Sequence, residues 1–98
     1  MKRIVWADTA RRDYLGLLRR IRADNPAAAA RVAGEITKAV EGLARHNTGR
    51  AGRVAGTYEK SVTGLPYVVA YLDDGAEPLT ILRIIHTARN WPHGRWPD

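Results

Sequence analysis

The sequence contains no cysteine, which excludes a disulfide framework and a thiolate metal site and fits a reducing compartment. No stretch approaches the ~18 consecutive apolar residues that a membrane-crossing helix requires. At the start, Ile4 to Ala7 is the only apolar stretch before Asp8, short of the ~7–15 residues of a secretion-signal core. A cytoplasmic protein without membrane attachment is the expectation. At 98 residues there is room for one hydrophobic core, since domains usually hold ~100–150 residues. A multi-domain enzyme is excluded, and residues 1–98 read as a single domain. The sequence also lacks internal repeats and any low-complexity segment.

What is abundant is arginine. Of 16 basic residues 13 are Arg, and the formal net charge is +6. Residues 1–53 hold twelve Lys/Arg against five Asp/Glu, a balance of +7, whereas residues 54–98 hold four against five, a balance of −1. The basic surface therefore belongs to the first half. Arg pairs bidentately with carboxylate or phosphate, so an acidic partner is implied, either nucleic acid or an acidic protein. The same distribution also fits an ordinary solvated helix face.

The hydrophobic fraction of 45% is distributed with periods that name the elements. Lys2 to Ala7 alternates as a short strand. Asp8 or Thr9 is placed to cap a helix, whose stripe is Ala10, Tyr14, Leu17, Leu18 and Ile21. Asn25-Pro26 ends it and opens a second helix to Arg45, with Asn25 as N-cap and Pro26 in the first turn. That helix carries Ala29, Val32, Ala33, Ile36, Val40 and Leu43 on one side. Two helices joined this closely pack as an antiparallel hairpin. Asn47 to Gly56 reads as loop with Arg50 and Arg53 exposed on it. Three strands follow, near 57–62, 67–72 and 79–86, the last apolar on both faces and so interior to the sheet. The fold class is α+β in the order β-α-α-β-β-β, a helical hairpin packed on one face of a largely antiparallel sheet.

The ordered set of features resembles the ParE branch of the RelE/ParE toxin superfamily over nearly the whole chain. It comprises the opening strand, Ala10 and Asp13 in an Ala-x-x-Asp-Tyr-Leu frame and the Asn-Pro break followed by Ala28-Ala29. It continues with Gly64-x-x-Tyr-Val-Val-x-Tyr and the closing Ile81-Leu82-Arg83-Ile84-Ile85-His86-Thr87-Ala88-Arg89-Asn90-Trp91. The resemblance implies the toxin of a type II toxin–antitoxin pair, associated with plasmid stabilisation and neutralised in a hetero-oligomer by a small ParD-like antitoxin. ParE-like members act on DNA gyrase, and RelE-like members cut mRNA on the ribosome.

Chemistry separates these branches. Cleaving RNA through its 2′-hydroxyl needs a positioned base, an acid for the leaving oxygen and cations around the phosphorane. RelE-like toxins resemble one another in taking these from basic residues on the central strands and a Tyr or His near the C-terminus. Here Lys60, Arg83 and His86 are the candidates, with Arg89 and His93 nearby and no Tyr after Tyr71, so the nuclease set looks incomplete; Arg50 and Arg53 could supplement it. The expectation is a gyrase-binding toxin with no catalytic residue and no cofactor, and the alternative is a ribosome-dependent endoribonuclease. Arg83, His86, Arg89 and Trp91 are the candidate target contacts, and Arg11, Arg12, Arg19 and Arg22 the candidate antitoxin contacts. Each has a plainer role beside it: His86 bonded to backbone at a strand end, Arg83 serving a neighbouring carboxylate, Arg89 capping the strand. Trp91, Pro92, Trp96 and Pro97 read as an extended tail with Gly94 and Arg95 between them, whose aromatic rings can stack on bases or anchor a protein; the alternative is that Trp91 folds back to seal the core. No metal site is expected, because His46, His86 and His93 share no ligand spacing.

Overall fold

Asn25 and Pro26 divide the helical half of the chain by local chemistry. The Asn25 side chain accepts the Ala28 N–H at 3.1 Å, while Pro26 occupies a first-turn position whose N–H has no intrahelical partner in any case. In the computed structural model, which describes residues 1–92 and 94–97, the elements are β1 (Ile4–Trp6), α1 (Asp8–Asp24), α2 (Pro26–Arg45), β2 (Arg50–Ala51), β3 (Tyr58–Ser61), β4 (Tyr67–Leu72) and β5 (Leu79–His86). The five strands form one sheet in the order β1-β5-β4-β3-β2. β1 runs parallel to β5, and the remaining pairs are antiparallel. Among the described residues no helix is long and apolar enough to cross a membrane.

The two helices cover one face of the sheet. Ala10 and Leu17 from α1 and Val32, Ile36, Val40 and Leu43 from α2 meet Tyr67, Val69, Tyr71, Leu79, Ile81 and Ile84 in a single buried cluster. The apolar stripes read from the sequence are therefore the core-facing ones, with Ala33 only half-buried and Ala44 buried beside them. β5 is interior, as expected, but part of its two-sided apolar look has a specific cause. Ala70 stands opposite Arg83 while Tyr71 stands opposite Ile81, so Leu82 is an extra residue, a β-bulge. Before it Leu79 and Ile81 face the helices; after it Ile84 does, because the bulge reverses the alternation.

Two local expectations are corrected. Neither Asp8 nor Thr9 caps α1: the N-cap is Ala7, with no side-chain bond. The strand runs straight into the helix, Ala7 donates to the Ile81 carbonyl at 2.8 Å, and Thr9 spends its hydroxyl on the Leu82 carbonyl at 2.8 Å. The Gly-rich loop also holds the two-residue strand β2, paired to β3. Both its residues are exposed, so no alternation of hydrophobicity could have marked it. This loop is pinned by Tyr71, which is fully buried. Its hydroxyl donates to Asn47 Oδ1 and accepts the Gly49 N–H at 3.1 Å. A Cβ at Gly49 would lie 2.2 Å from that hydroxyl, so only glycine permits the approach.

At the far end of the sheet Lys2 pairs with Asp73. The Lys2 hydrogen bond and the Gly75 N–H hold the Asp73 carboxyl below its ordinary range. A depressed folded-state pKa contributes stability that is present above the unfolded value of about 3.9 and lost as pH falls through the folded value. Unfolding by urea should therefore show a steeper loss of stability below about pH 4 in the native chain than in Asp73→Asn. Equal slopes in the two proteins would show that this pair carries none of the acid sensitivity.

Candidate partner-binding site

β1 pairs with β5 only at Leu79 to Ile81, which leaves the rest of that β5 edge to be satisfied by α1. Thr9 takes the Leu82 carbonyl, and Asp13 Oδ2 accepts the Ile84 N–H at 3.0 Å. Asp13 acts here as a strand partner would. The same carboxylate receives Arg83 Nε at 2.7 Å and Nη2 at 3.3 Å, while Arg83 Nη1 donates to the Pro97 carbonyl at 3.0 Å. With side chains only 16% and 20% exposed, Arg83 and Asp13 form a mostly buried pair. Arg83 thus takes the plainer role that its strand position offered, serving a carboxylate.

His86 ends β5 with its ring edge-on to Tyr67, centroids 5.2 Å apart. Its Nδ1 accepts the Ala88 N–H at 3.0 Å, so that nitrogen carries no proton and Nε2 is the protonated one in the neutral ring. The backbone closes tightly after it, with Thr87 N–H bonded to Pro66 O and Arg89 N–H to His86 O. Arg89 itself is exposed. Trp91 is not in a free tail: the Arg53 guanidinium lies 3.8 Å from its ring centroid, a cation–π contact. Pro97 is buried, and the indole N–H groups of Trp91 and Trp96 are buried without an acceptor among the described residues. The tail is thus held to the rest of the protein at Trp91 and Pro97. His93 lies outside the described residues.

The three candidate nuclease residues do not converge. Lys60 lines a cleft beside α2 with Glu35, Lys38 and His46. Arg83 is turned to Asp13, and His86 lines a different groove against α1. Lys60 stands opposite Val69, which stands opposite Ile84, so a core strand separates it from β5. Arg50 and Arg53 are exposed as expected but committed: Arg50 bonds Glu59 and Ser61, and Arg53 holds Trp91 while its N–H binds Glu59. Among the described residues no group of His, Asp and Glu is gathered that could hold a metal ion.

The four candidate antitoxin contacts on α1 are all exposed, but they divide. Arg11 is paired with Asp8 at 3.3 Å, and Arg11, Arg19 and Arg22 are not among the residues lining the groove against β5. Arg12 instead lines that groove, of about 270 Å³, with Gly16 and Arg20 on one wall and Tyr67, His86 and Arg89 on the other. Arg12 and Arg20 stand four residues either side of Gly16, hence on one face of the helix. Sequence reasoning passed over Arg20, Gly16 and Asp13 as site residues. Arg20 and Gly16 carried a signal, since both fall off the apolar stripe at helical spacing from Arg12. Asp13 stood in the Ala-x-x-Asp-Tyr-Leu frame, but nothing local pointed to its partner, 70 positions away.

A family model described as the ParE toxin of the type II toxin–antitoxin system, parDE, matches residues 4–91. No curated protein matches the sequence. Among solved structures, a chain of the chromosomal ParDE toxin–antitoxin system from P. aeruginosa is similar in fold, with a TM-score of 0.77 at 22% identity over 88% of this chain and 96% of that one.

Proposed function

Because the chain belongs to the ParE toxin family of type II toxin–antitoxin systems, we propose that it arrests its host by binding DNA gyrase in the cytoplasm, and that a ParD-like antitoxin neutralises it. The observation that carries the non-catalytic part is the dispersal of Lys60, Arg83 and His86 over separate surfaces. General acid–base chemistry needs its groups within hydrogen-bond reach of one reacting site, and these three face different neighbours. The target surface in this reading is the end of β5, where His86 and Arg89 line the groove and Trp91 follows under Arg53. Arg83 supports that surface from beneath through Asp13 and Pro97. The antitoxin contacts are the exposed arginines of α1, to which an amphipathic acidic segment is complementary.

His86→Gln is the discriminating variant. If the protein works by binding, losing one imidazole costs about 0.5–1.5 kcal/mol, at most roughly tenfold in affinity. A nuclease using His86 as acid or base would lose ~10²–10⁴ in rate. The expected outcome, in a variant shown by circular dichroism to be folded, is retained growth arrest with impaired supercoiling by purified gyrase. Loss of arrest together with loss of mRNA cleavage on ribosomes would replace this reading with the endoribonuclease one.

A further inference from the structure

Gly16 occupies the middle of a 17-residue helix, where glycine is a destabilising choice relative to alanine. Nothing inside the molecule calls for it: a Cβ built there meets no heavy atom within 4 Å. The space it leaves open belongs to the groove flanked by Arg12 and Arg20. Neither arginine has an ion-pair or hydrogen-bond partner among the described residues. Among the described residues the one carboxylate lining the groove, Asp13, is taken by Arg83 and the Ile84 N–H. On the helical wall the groove thus carries two arginines, Arg12 and Arg20, either side of a gap at Gly16. The opposite wall carries His86 and Arg89, the residues assigned above to the target.

We propose that an acidic helix of the antitoxin crosses α1 at Gly16, setting a carboxylate between Arg12 and Arg20, and that it thereby occupies the groove the target must use. Neutralisation is then competitive. The absence of a side chain at Gly16 lets a second helix axis approach closely, since interaxial distance is set by the side chains at the crossing. Charge complementarity selects an acidic segment. A nucleic-acid strand fits less well: among the described residues the groove wall carries no Trp or Phe, and its Tyr67 is buried and edge-on to His86, which leaves one half-buried imidazole for base stacking. The proposal rests on the toxin reading for the class of partner and on the assignment of the β5 end to the target.

Gly16→Glu tests it, because a carboxylate four residues from both Arg12 and Arg20 closes the clamp from within while favouring the helix. With the antitoxin that co-purifies with the toxin as probe, calorimetry should show affinity lowered about 100-fold or more. Growth arrest by the variant expressed alone should be lost as well. Gly16→Ala should raise the thermal midpoint yet weaken antitoxin binding, opposite signs that unfolding cannot produce. Gly34→Ala, on α2 and equally open to a Cβ, should raise the midpoint and leave affinity unchanged. Unchanged affinity in both Gly16 variants would overturn the proposal, as would loss of affinity with full arrest, or loss of arrest with full affinity. These readouts do not depend on which molecule the toxin attacks. An error in the gyrase assignment would show separately, as mRNA cleavage on ribosomes by the native toxin.

Discussion

Replacing Asp13 with Ala should lower the stability of the free toxin by about 3 kcal/mol, the cost of stranding one partner of a mostly buried ion pair. Three groups lose their acceptor at once: Arg83 Nε, Arg83 Nη2 and the Ile84 N–H. The residual exposure of the pair, 16% and 20%, keeps the cost toward the lower end of the range for fully buried pairs. Arg83→Ala should cost somewhat less, because Asp13 keeps its bond from Ile84. In a domain of this size 1 kcal/mol moves the thermal midpoint by about 4–8 °C, so the Asp13 variant should melt about 12–24 °C below the native chain. The double variant should cost less than the sum of the two single ones, since both remove the same interaction. Additive effects in a double-mutant cycle, or a midpoint change under about 3 °C, would show that the pair contributes little. Any loss of toxicity in Arg83 variants must therefore be measured against the folded fraction.

Truncation after Ile85 should leave the chain unable to fold stably, contrary to what its sequence pattern suggests. Residues 86–98 add little apolar periodicity and look separable from the core. The register nevertheless places Val68, Ala70 and Ile85 on the sheet face away from the helical core cluster, and all three are buried. The tail docks on that side of the structure, through Pro97 on Arg83 and Trp91 under Arg53. Uncovering a Val or Ile side chain costs about 1.5–3 kcal/mol, and losing the tail contacts adds to this in a domain whose net stability is only about 5–15 kcal/mol. The expected product is insoluble, or binds a hydrophobic dye and lacks a cooperative melt. A soluble truncated chain with a native melting transition would instead make the tail an appendage. Trp91→Ala is the milder companion: it removes the cation–π contact, worth about 0.5–2 kcal/mol, and should remain folded. It is therefore the variant with which to assay the tail's part in growth arrest.

Features whose cause and effect lie close together along the chain are legible in its residues. The Asn25-Pro26 break, the two helical stripes and the interior position of β5 follow from capping chemistry and from periods of 3.6 and 2 that recur within a few residues. The family follows as well, because the ordered run of short motifs from Ile4 to Trp91 is itself local information. Tertiary structure decided the rest. The parallel pairing of β1 with β5, the reversal of facing at Leu82, the capture of Arg83 by Asp13 and the docking of Pro97 each join residues distant in sequence or depend on an unpaired strand edge. Such pairings are selected by unsatisfied backbone groups and by surface left uncovered when the elements assemble. No short window of sequence records them. For the same reason Arg12, read as one of four equivalent cations on α1, joins His86 and Arg89 in a single groove only after α1 is laid along the open edge of β5.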